Sequence, residues 1–414
     1  MTTLHDTAAP GVLPHAAAPV STRLYALDNL RAAMMWLGIV LHVGVIHMTG
    51  QRLLPWRDSQ TTLAADVLVA FIHAFRMPVF FLLAGFFVAM LLEQRGPRAL
   101  VRHRLRRLAL PFAVFWPPVY VLCAVFALAF VHRMVRGTWG LDPTIMPRTP
   151  GVPEGPITLH LWFLWMLLWL SLLTPLAQWL LQRAAPAAGA ALLHRWAGTL
   201  GRAPWGIALL AAALAAVGAQ HGDGLVHPSE SFLPHWTEWA HNGLFYAFGL
   251  ALYIQRHDLL QHDMRRWRRY AVAGLLLFMA SGAIFWHATG DSFTLPLAPR
   301  VAFAFAYNAA AWCLSFALIG LFAAHLRQPH PALSYLADSS YWVYLVHMPL
   351  TIGFGALMFG LPWPAGAKIV LNIAATTAVC LASYHLVVRF GALGQLLNGK
   401  RHTRAHCPQA TVIH

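Results

Sequence analysis

Read for hydrophobicity alone, the chain is a train of apolar runs separated by shorter polar breaks. A helix that crosses the hydrocarbon of a bilayer needs about 20 mainly apolar residues. Ten runs are candidates, centred on residues 28–49, 64–92, 108–132, 159–182, 204–220, 239–255, 270–288, 300–325, 339–359 and 367–391. The fifth, sixth and seventh are short. The longest non-spanning stretches between them are the Pro-rich segment 143–156 and the polar segment 221–238. The expected fold class is all-α: a polytopic membrane helical bundle of about ten helices.

Composition agrees. Of the 414 residues, 58% are hydrophobic and 10% charged, whereas soluble domains carry about 25% charged residues. The solvent for most of this chain is therefore lipid. A formal charge of +15 suggests nucleic acid at first sight, but the cations sit in short breaks between apolar runs, and no basic domain stands apart. No nucleic-acid partner is expected.

The breaks have a sidedness. Those after the second, fourth, sixth and eighth runs hold Arg95, Arg98, Arg102, Arg104, Arg106 and Arg107, then Arg183, Arg195 and Arg202, then Arg256 and Arg265 to Arg269, then Arg327. The break after the fifth holds Asp223, Glu230 and Glu238 and no Lys or Arg; those after the seventh and ninth hold Arg300 and Lys368. Positive loops stay inside, which places both termini in the cytoplasm of an inner-membrane protein. An even number of spans requires the same. Residues 1–22 read as a disordered cytosolic arm, 23–397 as one ten-helix domain and 398–414 as a cytosolic tail. Cys123, Cys313 and Cys380 lie in apolar runs and Cys407 in the tail; their spacing fits neither a zinc site nor a disulfide framework, and no metal is expected.

Ionisable groups at membrane depth are costly and mark function. The first run, LDNLRAAMMWLGIVLHVGVIHM, carries Arg31 and His42 eleven residues apart, on nearly the same face and about 16 Å along the axis. His42 is deep and can shuttle a proton or accept an acyl group. Asp28 is one turn before Arg31 and is placed to pair with it; interfacial anchoring is the plain alternative for both. In the second run, FIHAFRMPVFFLLAGFF, His73 and Arg76 share one turn, and Pro78 and Gly85 are expected to break or bend the helix beside a cavity. Arg104 and Arg107, at i and i+3, present two guanidinium forks suited to an anionic phosphate, or simply enforce topology. His160 opens the fourth run, with Trp162 and Trp165 either in the aromatic belt or lining a carbohydrate cleft. Tyr344 and His347 share a turn of the ninth. His241 and Asn242 in the sixth are weaker candidates. No Walker loop, dinucleotide fingerprint, HExxH helix or Gly-x-Ser-x-Gly elbow is present.

Five segments in order, LDNLRAAMMWLGIVLHV, FRMPVFFLLAGFF, RHRLRRLALP, HLWFLWMLL and YWVYLVHMPL, resemble the acyltransferase-3 family of integral membrane acyltransferases. Arg31 and His42 fit the family's Arg, ten residues, His mark, and Arg104 and Arg107 its Arg-x-x-Arg mark. The resemblance implies His42, with Arg31, as catalytic. It implies CoA-phosphate binding at Arg104 and Arg107; from their position at membrane depth or at its edge, substrate contacts are expected at Asp28, His73, Arg76, His160, Trp162, Tyr344 and His347. FIHAFRMPVFFLLAGFF and SYHLVVRFGALGQLLNGKR point to the subgroup associated with succinylation of osmoregulated periplasmic glucans; the Tyr384 to Arg389 ending lacks the Glu of the sugar O-acetylases. The expected activity is acyl transfer, succinyl foremost, from cytoplasmic acyl-CoA to hydroxyls of a periplasmic glucan, with no permanently bound cofactor. Expected partners are the bilayer, acyl-CoA, the carbohydrate acceptor and glucan synthesis proteins. The alternatives are a sugar O-acetyltransferase and, in another class, an anion- or proton-coupled transporter.

Overall fold

The protein is described by a computed structural model over residues 24–50, 53–147, 155–184, 195, 198–290, 293–328 and 330–398. The expected cytosolic arm and, beyond residue 398, the tail with Cys407 lie outside the described residues. Among the described residues every regular element is helical. The helices are α1 (Tyr25–Ile46), α2 (Leu63–Arg104), α3 (Leu110–Arg136), α4 (Trp162–Ala184), α5 (Pro204–Gly218), α6 (Trp236–Ile254), α7 (Arg256–Ala288), α8 (Leu297–His325), α9 (Pro331–Met358), α10 (Ala365–Ser383) and the short α11 (Ala392–Asn398).

Among the described residues, seven helical stretches are long and apolar enough to cross a membrane, and the chain is a multi-pass membrane protein. Three features separate seven from the ten runs counted in the sequence. The second and third runs continue into one 74-residue helical stretch, Leu63–Arg136. At 15 residues, α5 is shorter than a span. Polar Glu238, His241 and Asn242 keep α6 outside the seven.

Local signals explain where the helices start and turn. The Thr62 hydroxyl accepts from Ala64 N at the head of α2, and Asp66 in the first turn opposes the helix dipole. Backbone dihedrals stay helical through Pro78 and Gly85; the one break inside α2 is Gly96, at φ 75°, a conformation that suits glycine. The bend expected at Gly85 is instead a close approach. A Cβ there would lie 2.1 Å from the Tyr246 carbonyl oxygen, and one on Gly249 would lie 2.1 Å from that of Leu82. The two glycines let the backbones of α2 and α6 touch.

The core is continuous. α8 runs through its middle with Trp312, Phe316 and Ile319 buried, while α7 beside it turns Val272, Leu276 and Met279 outward. Such apolar outward faces suit lipid tails rather than water.

The connections gather at two ends. At one, rich in arginine, Arg107 donates to the carbonyls of Leu396 and Leu397, tying α11 to the root of α3. At the other, Arg133 holds the Ala356 carbonyl at 3.0 Å, and Leu295 N reaches the Gly222 carbonyl at 2.8 Å. This end also contains Lys368, whose ammonium meets both Asp58 carboxylate oxygens at 2.8 and 3.0 Å. The sequence places Lys368 in a loop; in the fold it lies in the first turn of α10 with its side chain 0% exposed.

Removing one member of a buried pair strands the other charge, at a cost of about 3–5 kcal/mol. Lys368→Met should therefore lower thermal stability sharply in detergent, and the double variant Lys368→Met, Asp58→Asn should recover most of it. A melting series of the two proteins checks this.

Candidate active site

Proline chemistry shapes the centre. Pro349 in α9 has no N–H to give the Leu345 carbonyl four residues earlier, and that carbonyl lies near His160. His160 Nε2–H also donates to the Tyr344 carbonyl at 3.1 Å. The Tyr344 hydroxyl returns a bond to the His160 carbonyl at 2.9 Å. On the same carbonyl of Tyr344 lands His347 Nδ1–H, at 2.9 Å, shared with Val343 O at 3.0 Å. One backbone oxygen thus orients two imidazoles.

The remaining nitrogens of these rings, His160 Nδ1 and His347 Nε2, are buried and have no partner. With N–H on the bonded side, each keeps a lone pair on the free side. His42 stands between them. Its ring centroid is 5.2 Å from that of His347 and 6.3 Å from that of His160, and those two are 5.1 Å apart. Three helices, α1, α9 and the lead-in to α4, therefore converge on one imidazole cluster. Among the described residues no group of His, Cys, Asp or Glu is arranged to hold a metal ion.

Arg76 is the cation of the cluster. Its Nε donates to the Met34 carbonyl at 3.1 Å, which fixes the guanidinium against α1. Gly38, one turn before His42, makes the room: a Cβ there would lie 2.8 Å from Arg76 Nη2 and 3.5 Å from His347 Nε2. An imidazole flanked by fixed lone pairs and a guanidinium can take a proton and have charge stabilised beside it.

The other expected residues fall into two further places. Arg31 is at the arginine-rich end, paired with Asp28 at 3.3 Å and with its side chain 44% exposed; Arg76, not Arg31, is the arginine beside His42. Arg104 and Arg107 both lie within electrostatic range of Arg31. Arg104 Nε is buried without a partner, whereas Arg107 is engaged with α11 carbonyls. His73 and Trp162 line a separate cavity with His241, Asn242 and Asn308; His73 is still near enough to act electrostatically on His42. The connection at the arginine-poor end, the outer one on the expectation from loop charge, clips the site: Thr158 N and Oγ1 both donate to the Glu230 carbonyl at 2.7 Å. Burial, and then nearby Glu238, push the Glu230 carboxyl up to about 7.

Sequence reasoning passed over Gly38 and Asn308. A glycine four residues before a deep histidine, and an amide in the middle of an apolar run, were the available signals.

A buried histidine cluster inside a helical bundle is what a membrane-embedded catalytic or transport centre would require. Residues 24–385 match the family described as an acyltransferase domain, and the chain belongs to that family of membrane acyltransferases. Over 163 residues it is 29% identical to the glucans biosynthesis protein C of Shigella dysenteriae serotype 1 (strain Sd197), covering 39% of this chain and 40% of the relative. The same identity and coverage hold for the proteins of that name from Escherichia coli strains K12 and SMS-3-5. The chain thus spans about two fifths of the length of these curated relatives, at 40%. No solved structure matches it.

Gly38→Ala should displace the Arg76 guanidinium from the histidine cluster and leave the helices intact. Misplacing a catalytic group by about 1 Å can cost on the order of 100-fold in rate. Acyl transfer should fall by roughly one to two orders of magnitude at a nearly unchanged melting temperature, read by a transfer assay and a melt on the same preparation.

Proposed function

We propose that the protein moves an acyl group, succinyl foremost, from cytoplasmic acyl-CoA to a hydroxyl of a periplasmic glucan. The single observation that carries this reading is the convergence of His42, His160, His347 and Arg76 in the centre of the bundle. The arginine-rich end is taken as cytoplasmic by the positive-inside rule, with both termini there and ten passes in all. The name of the relatives, glucans biosynthesis protein C, supports the acceptor.

On this reading Arg104, whose Nε is buried without a partner, holds a CoA phosphate, with Arg31 adding positive field. The acyl thioester reaches His42. The basic nitrogen of His42 takes the acceptor's hydroxyl proton as the oxygen attacks the thioester carbon. The lone pair of His347 Nε2 favours the protonated ring, and the Nη donors of Arg76 face the developing oxyanion. The C–S bond then breaks, and the thiolate leaves with the proton from His42. The products are an ester and free CoA thiol, so protons balance. The same Nη donors suit the free carboxylate of a succinyl group.

The test uses membranes containing wild-type protein or His42→Ala, labelled succinyl-CoA or acetyl-CoA, and purified periplasmic glucan. Succinyl label should enter the glucan with wild type only. Acetyl label alone would move the acceptor chemistry to O-acetylation. Label retained on the protein would replace the direct route by an acyl-histidine. Full activity of His42→Ala, or substrate flux without CoA, would overturn the reading.

A further inference from the structure

A second polar site lies beside the histidine cluster and shares none of its four central groups. It is a cavity between α2, α6 and α8, closed above by Leu225, Val226 and Pro228 of the outer connection. The polar groups lining it are His73, Glu238, His241, Asn242, Tyr307 and Asn308, with Trp162 and Met77 on the side facing the cluster. It adjoins the cluster through two elements: His73 is three residues before Arg76, and Trp162 two after His160. Polar groups at this depth are expensive unless something uses them.

Its chemistry selects a ligand class. No Lys or Arg lines the cavity, so an anion such as a CoA phosphate has no counter-charge there. The groups that do line it are amides, imidazoles, a phenol and one carboxylate, which recognise neutral hydroxyls. His241 Nε2 faces Asn308 Oδ1 at 3.2 Å, and its Nδ1 faces Asn242 Oδ1 at 3.4 Å. A neutral imidazole has one N–H, so it donates to only one of these oxygens. The other amide must present its NH2 or take its hydrogen bond from elsewhere. An alcohol, donor and acceptor at once, fits such a pair.

The backbone adds a further acceptor. Pro78 lacks the N–H that would bond the Ala74 carbonyl four residues earlier, and both residues line this cavity. The enclosed space is about 30 Å3, room for one or two waters or one alcohol group but not for a sugar ring. The saccharide itself would remain at the mouth, beside Trp162 and the outer connection.

Building on the acyl-transfer reading above, we propose that this cavity is the acceptor subsite, holding one hydroxyl-bearing arm of a neutral polyhydroxylated acceptor next to the histidine cluster. Asn308 and His241 are its recognition pair.

The test separates binding from transfer. Equilibrium dialysis of a radiolabelled glucose oligosaccharide is run against detergent-solubilised wild type, His42→Ala, Asn308→Leu and Ala74→Leu; the last fills the space without removing a polar group. Melting curves confirm that each variant is folded. Wild type and His42→Ala should bind alike. Asn308→Leu and Ala74→Leu should each bind at least about tenfold more weakly, the loss of one net hydrogen bond or of the space itself. In transfer assays both should raise KM for the acceptor with KM for acyl-CoA unchanged. Undiminished oligosaccharide binding in a folded Asn308→Leu or Ala74→Leu protein overturns the subsite, and so does a wild type that binds no oligosaccharide. Binding that behaves as expected, without acyl transfer in wild type, leaves the subsite standing and overturns the acyl-transfer reading instead.

Discussion

The carbonyl of Tyr344 receives two imidazole N–H groups, from His160 and from His347, while the Tyr344 hydroxyl bonds back to the His160 carbonyl. These bonds lie in a low-dielectric interior, where satisfied polar groups are strongly held and unsatisfied ones are costly. They fix which nitrogen of each ring carries its proton, and so leave a lone pair on the other nitrogen of each ring, within the cluster that includes His42. They also hold the start of α4 against the middle of α9. Without that junction the three imidazoles would be separate buried histidines on separate helices.

The same logic orders the rest of the bundle. Many polar groups inside it have a partner on another helix. Lys368 and Asp58 satisfy each other at the outer end. Asn372 reaches the Thr351 carbonyl and Thr376 reaches Asn372, so α9 and α10 share a buried polar seam. At the arginine-rich end the Tyr246 hydroxyl meets that of Thr174 at 2.7 Å, near Arg104. Arg104 Nε, His160 Nδ1 and His347 Nε2 are among the buried atoms left unpaired, and these three lie where chemistry is expected.

Much of this was legible in the chain. The apolar runs mark the helices because lipid demands long stretches of one character. His42, Arg76, His160 and His347 stand out singly because a titratable group in hydrocarbon is conspicuous. Their convergence was not legible, because the pairing of α1 with α9 and the bonds between His160 and Tyr344 join residues far apart in the chain and leave no local spacing. Arg31 shares a face with His42, yet the face is long, and the partner came from another helix. Lys368 was read as a loop charge because the rule that sorts loops counts cations without seeing Asp58. Asn308 went unremarked because an amide carries no charge, although buried in a bundle it is nearly as informative.

One helix has a consequence for the membrane itself. α5 has 15 residues, a rod of about 22 Å, against roughly 30 Å of hydrocarbon. It packs against α8, the helix that carries Tyr307 and Asn308. If α5 crosses the bilayer, lipids that shorten to match so short a rod would let headgroups and their water dip inward along that flank. The aqueous boundary would then come nearer to α8 and the polar groups it carries.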